Sequence, residues 1–143
     1  MSWGEVAKSL YTLLDGDTGT GGLRNSASSA YVNSVSQGLS IKNATLPIVT
    51  FFGISGTPDN VFDPANKVMD YGFQVDVFTL ANLGAYAHEP IVARVKSKLD
   101  RQSLSVTGWV NGAMFLDSEQ PVQIEGDYLR TVLQFSVFIN DPS

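Results

Sequence analysis

Apolar residues recur at every second position near the end of the chain. Leu129, Leu133, Phe135, Val137 and Ile139 share one face, with Thr131 the single break, so the segment 127–139 is predicted to be a long strand. Its second face carries Tyr128, Arg130, Val132, Gln134, Ser136 and Phe138, a mixture where a solvated face would be polar throughout. Large apolar groups there imply a face covered by this chain or by a neighbour. Met69–Thr79 repeats the pattern, with Tyr71, Phe73, Val75 and Val77 inward, Gln74 and Asp76 outward, and Phe78 again apolar on the nominally outer side. Leu46–Ser55 reads as a strand that begins at Pro47, where a missing donor is tolerated. Trp109–Leu116 reads as another, with Gly112 as its bulge.

Two segments change to a helical period. Val6, Leu10, Leu13 and Leu14 form one stripe over Trp3–Leu14, with Ser2 as cap and Glu5 three residues later. Ala87, Ile91, Val95 and Leu99 predict a second helix over Ala85–Leu104. Pro90 belongs in a first turn, which puts the regular part near His88. Arg94, Lys96, Lys98 and Arg101 load the C-terminal half, where the helix dipole favours cations. The glycine-rich run Asp15–Gly22 stops the first helix. From there to Asn43 only Tyr31, Val35, Leu39 and Ile41 suggest short extended pieces. Gly56–Lys67 has turn chemistry and displays Val61 and Phe62, and Asp117–Gly126 is a further loop. The order predicts one α+β domain over residues 1–143: a mostly antiparallel four-stranded sheet with two helices packed on one face, and long loops.

Composition narrows the chemistry. The 143 residues are 43% hydrophobic and 16% charged, with eight Phe, five Tyr and two Trp, enough for a core without staples. The absence of cysteine excludes disulfides, thiolate zinc sites and Cys nucleophiles. A net charge of −5 with nine scattered Lys and Arg argues against a phosphate-binding patch, although an acidic pore could let DNA pass without holding it. No signal peptide is visible at the N-terminus, and the longest apolar runs are strand-sized.

No catalytic motif survives a check of its spacing. Asp15-Gly-Asp17-Thr-Gly19 begins like a calcium loop, but Gly19 and Ser26 stand where further ligands belong, so a helix stop is the better reading. Gly53-Ile-Ser55-Gly56-Thr57 misses the nucleophile-elbow spacing, and His88, the only histidine, reads as an ordinary polar residue near a first turn that Asn or Gln should replace. Val92 stands where a zinc-protease helix needs its second histidine. Asp76, Glu125 and Asp127 are carboxylates on strands, better read as a solvated face than as a glycosidase pair. The expectation is no reaction, no cofactor and no metal.

The order of elements resembles the tail terminator, or tail-completion, proteins of long-tailed bacteriophages, which include tail-to-head joining proteins. The resemblance rests on the Val6–Leu14 helix, the strand Leu46-Pro-Ile-Val-Thr-Phe-Phe, the strand Tyr71-Gly-Phe-Gln-Val-Asp-Val-Phe, the Ala87–Leu99 helix and the strand Tyr128–Phe138. It covers most of the chain from Val6 to Asn140 and is weakest at Gly22–Asn43 and Gly56–Lys67. The resemblance implies a virion protein that forms a ring, usually a hexamer, at the head-proximal end of the tail. Such a ring ends growth of the tail tube and joins it to the head, with DNA passing through the lumen unbound. Its partners would be its own copies, the tube protein and a head-completion or connector protein, with no membrane, and assembly would occur in the host cytoplasm. The predicted contact residues are Val61, Phe62, Phe78, Val132 and Phe138. Other neck or baseplate ring components and a small α+β hydrolase or ligand-binding domain are the alternatives. A deep pocket holding His88 or a perturbed carboxylate would mark the latter.

Overall fold

A computed structural model describes residues 3–38, 45–59, 67–106 and 112–141. The elements run α1 (Trp3–Asp15), β1 (Ser34–Gln37), β2 (Ile48–Asp59), β3 (Lys67–Leu80), α2 (Ala85–Leu99), β4 (Ser103–Leu104), β5 (Gly112–Glu119), β6 (Gln123–Glu125) and β7 (Tyr128–Asp141), with a 3-10 turn at Ala81–Leu83 before α2. The strands form one curled, mixed sheet in the order β1-β2-β3-β7-β5-β4, and β6 pairs with β7 off that path. Seven strands among the described residues thus replace the expected four, and the sheet is mixed, because β1 lies parallel to β2 from Ser34↔Ile48 to Gln37↔Phe51.

The extra strands are short, and only β1 falls on one of the short extended pieces expected between Gly22 and Asn43, at Val35, while Leu39 and Ile41 lie outside the described residues. β1 holds a single buried apolar residue, Val35, in a polar stretch. β6 is three residues long and lies inside the expected Asp117–Gly126 loop. β4 lies where the second helix was expected to continue. That helix stops at Leu99, Asp100 is extended (φ −67°, ψ 124°) and Arg101 has a φ of 61°. The chain then turns back to pair with β5, the Arg101 amide donating to the Met114 carbonyl at 2.7 Å.

The predicted turn at Gly56–Lys67 is partly strand: Gly56 pairs with Tyr71 and Pro58 with Met69. Pro58 is tolerated because β1 covers β2 only as far as Phe51, so beyond it the far edge of β2 needs no ladder donor. Val61 and Phe62 lie outside the described residues, as do Ser2, the expected cap of α1, and Trp109. The bulges fall between Gly53 and Ser55 and between Leu116 and Ser118, not at Gly112. Gly112 serves a different purpose, since a Cβ there would run into the Phe138 carbonyl of β7.

Both helices pack on one sheet face, as their stripes require. Val6, Leu10 and Leu14 of α1 and Ile91, Val95 and Leu99 of α2 join Val49, Phe51, Phe73, Val75, Val77, Leu133, Phe135 and Val137 in one buried cluster. Phe73 stacks on Phe135 at 5.3 Å between ring centroids, 13° from parallel, and Trp3 lies 6.4 Å from Phe73. Trp3 also covers Gly53, where a side chain would meet the indole ring. β3 and β7 pair along their whole length, Lys67↔Asp141 to Leu80↔Tyr128, and form the centre of the sheet.

Candidate functional site

Three buried polar groups were expected at the surface or in loops, and each is held by partners from distant elements. The first is His88. The 3-10 turn and Gly84 (φ 73°) start α2 at Ala85, a turn earlier than Pro90 suggested, and this places His88 on the inner stripe with Val92, Val95 and Leu99. Its ring is fully buried, with Nδ1 2.8 Å from Thr79 Oγ1 and Nε2 2.6 Å from Thr131 Oγ1. These side-chain bonds fix the first turn to the sheet, next to the backbone bond that Pro90 cannot donate. Burial lowers the imidazole pKa against the opposing pull of Glu89. In the neutral ring one nitrogen donates and the other accepts, and a threonine hydroxyl can answer either way. His88 is therefore no ordinary polar residue. It also makes no bond to Ser55, which lies on β2 opposite Gly72.

The second is Asp17, in the glycine-rich segment after α1. Its carboxylate accepts the Leu23 amide at 3.0 Å and two bonds from Arg94 of α2, at 2.8 Å from Nε and 2.6 Å from Nη2. Lys98 stands 3.9 Å away. The Arg94 bonds hold the carboxyl pKa below the ordinary aspartate value against the opposing effect of burial, with help from the Leu23 amide and the charges of Arg94 and Lys98. The segment does stop α1, which ends at Asp15, and Asp17 within it also clasps the two helices together.

The third group lies on the sheet face opposite the helices. Asp76 is wholly buried, not solvated, and accepts Gln74 Nε2 at 3.0 Å and Arg130 Nη2 at 3.1 Å. Arg130 Nη1 reaches Glu125 Oε1 of β6 at 3.3 Å, and the guanidinium lies 5.6 Å from the Phe78 ring centroid. Burial raises the Asp76 pKa, while the Gln74 and Arg130 contacts oppose it and Glu125 adds to it. Of the three carboxylates weighed as a pair, Asp76 and Glu125 thus share one arginine. Asp127 sits in the β6–β7 turn, its carbonyl accepting the Ala81 amide at 2.9 Å.

Of the predicted contact residues, Phe78 and Val132 are covered by this chain itself, Phe78 edge-on to Tyr128 with centroids 5.6 Å apart. Phe138 is 41% exposed. It shares the outer face with two exposed apolar groups that sequence reading did not single out, Phe115 of β5 and Ile54 of β2. The register connects them: Phe115 lies opposite Ser136, Ser136 opposite Gly72, and the space above Gly72 is taken by Ile54 and Ser55. The signal for Phe115 was an aromatic residue at a polar phase of its strand. The opposite end of the sheet carries Leu83, Ile124 and Tyr86, the last 96% exposed.

Among the described residues, a groove of about 600 Å³ runs between α1 and β4 and is lined by Glu5, Lys8, Ser9, Thr12 and Leu104, among others. His88, Asp17 and Asp76 do not border it. No group of three or more His, Asp or Glu is placed to hold a metal among the described residues. No described helix is long and apolar enough to cross a membrane.

No protein-family profile matches the sequence, and no curated protein matches it. Solved structures do share the fold. A chain in the virion of a native gene transfer agent particle superposes with a TM-score of 0.57 at 18% identity, over 76% of this chain and 79% of that one. A second solved chain, whose name carries no functional word, superposes with the same TM-score at 14% identity over 96% of both chains. At such identities the likeness establishes the fold.

Proposed function

We propose that this chain is a structural subunit of a virion, and specifically the ring protein that ends growth of a tail tube at its head-proximal end and joins the tail to the head. The observation that carries the reading is the fold shared with a chain of the gene transfer agent virion over three quarters of both chains. The order of helices and strands that resembles the tail terminator family points the same way. The chemistry is in keeping with it. Both nitrogens of His88, both oxygens of Asp17 and both oxygens of Asp76 are occupied by internal partners.

The neighbour-facing surface in this reading is the outer sheet face around Phe138, Phe115 and Ile54. Contacts within a stable ring each bury on the order of 1,200–2,000 Å² in total, with aromatic anchors at the centre. Copies of this chain, the tube protein and a head connector are the partners, and DNA passes through the lumen without specific binding. The decisive experiment compares particles assembled with and without this protein by negative-stain electron microscopy. Overlong tails unattached to heads are the expected result of its absence. Tails of normal length that still join heads would overturn the reading, and loss of another neck or baseplate structure would assign the protein to that ring instead.

A further inference from the structure

The polar groups on the outer sheet face form one continuous hydrogen-bond chain across three strands, and every donor in it points toward Asp76. Ser118 Oγ of β5 donates to Gln134 Oε1 at 3.2 Å, Gln134 Nε2 of β7 donates to Gln74 Oε1 at 3.2 Å, and Gln74 Nε2 of β3 donates to Asp76 Oδ1 at 3.0 Å. Arg130 Nη2 occupies the other carboxylate oxygen at 3.1 Å. The direction is dictated by chemistry, because an ionised carboxylate only accepts. It turns the Gln74 amide NH₂ inward, which leaves the Gln74 oxygen for Gln134 and the Gln134 oxygen for Ser118. The register supports the same alignment, with Gln74 directly opposite Gln134.

We propose that Asp76 sets the polarity of this chain and that uptake of one proton reverses it. A protonated carboxyl must donate. Oδ2 already accepts from a guanidinium, which offers a proton no acceptor, so the proposal places the proton on Oδ1, where it faces Gln74. The Gln74 amide then turns over to offer its oxygen. Its NH₂ now meets the NH₂ of Gln134, which must turn as well and donate to Ser118 Oγ. Ser118 is exposed, so its hydroxyl hydrogen rotates toward water. A proton taken from solvent at a fully buried group is thereby read at the surface of β5.

Among the described residues, two charged groups act on Asp76. β7 contributes Arg130 and β6 contributes Glu125, while Thr50 of β2, opposite Asp76 in register, and Gln74 of β3 are neutral. Burial opposes the charged form of Asp76 and places its titration above that of an ordinary aspartate.

The test is an NMR titration of the full-length protein that follows the Asp76 side-chain carboxyl carbon and the side-chain amides of Gln74 and Gln134. Both amides should shift together with the midpoint of Asp76. In Asp76→Asn, whose own NH₂ mimics the proton, they should stand at their acid-end positions at every pH. In Glu125→Gln the joint shift should persist. A Gln134 amide that stays still while Asp76 titrates would overturn the proposal. So would a joint shift that survives Asp76→Asn or vanishes in Glu125→Gln, or unfolding before Asp76 takes up its proton. Should Asp76→Asn fail to fold, the wild-type and Glu125→Gln titrations decide.

Discussion

The hydroxyl of Thr131 lies 2.6 Å from Nε2 of His88, and this contact accounts for the one polar interruption in the apolar face of β7. Thr79, on the same inner face of β3, meets the other ring nitrogen at 2.8 Å. The two threonines and the histidine form a polar knot where α2 first touches the sheet.

Breaking that knot should destabilise the protein. His88→Ala leaves two buried hydroxyls without a partner and opens a cavity, at a cost of about 2–4 kcal/mol. His88→Gln keeps at most part of the arrangement, so its loss should be smaller, and urea denaturation measures both. The pH dependence has a definite sign. The folded pKa is depressed below the ordinary histidine value of 6.5, so the stability His88 contributes is full above that value and is lost as pH falls through the folded pKa. Denaturation midpoints of the wild type and of His88→Gln should converge on acidification through this window.

Arg94→Ala should cost about 2 kcal/mol. Complete burial of an orphaned charge costs more, roughly 3–5 kcal/mol, but the Arg94 side chain is 28% exposed. The Asp17 carboxyl has its pKa lowered in the fold, so the stability it contributes is present above its unfolded value of 3.8 and is lost as pH falls through the folded pKa. Acid denaturation followed by circular dichroism should begin at higher pH in Arg94→Ala than in the wild type.

Phe135→Ala removes the ring that stacks on Phe73 at the centre of the core and should cost about 3–5 kcal/mol. Thermal melting reports it directly. An unchanged melting temperature would mean that the inner face of β7 is wrongly assigned.

Phe138→Asp tests the outer face. The side chain is part-exposed on a paired strand, so the variant should keep the wild-type circular dichroism spectrum. In the role proposed above it should fail to cap tails, seen as overlong tubes by electron microscopy. Phe115→Asp on the neighbouring strand should behave alike, and normal tails from both variants would move the ring contacts elsewhere.

The sequence made the long periodic elements legible because each buries one face. The stripe Val6–Leu10–Leu14 and the alternation Phe73–Val75–Val77 both survive in the structure. Short strands were barely legible: Val35 hinted at β1 but not at its parallel pairing with β2, and β6 left no sign at all, because backbone pairing leaves no trace in hydropathy. His88 was misread because its polarity was weighed ahead of its spacing, although it lies four residues before Val92 and seven before Val95. Asp76 was misread because β3 looks half-exposed by alternation, whereas the outer face of the curled sheet is itself closed over Thr50, Asp76 and Phe78. Partners such as Arg94, 77 residues from Asp17, could not be found by any local pattern.

The position of β7 has a consequence for how the chain reaches its native state. Among the described strands it comes last in sequence, yet it lies between β3 on one side and β5 and β6 on the other. During synthesis β1 to β6 leave the ribosome first, so β3 and β5 must wait with one edge each unsatisfied. Such edges are templates for pairing with foreign strands, and closing them requires contacts far apart in sequence, which form slowly. Refolding yield should therefore fall steeply with protein concentration, and crowded nascent chains should gain from holdase chaperones until the final strand inserts.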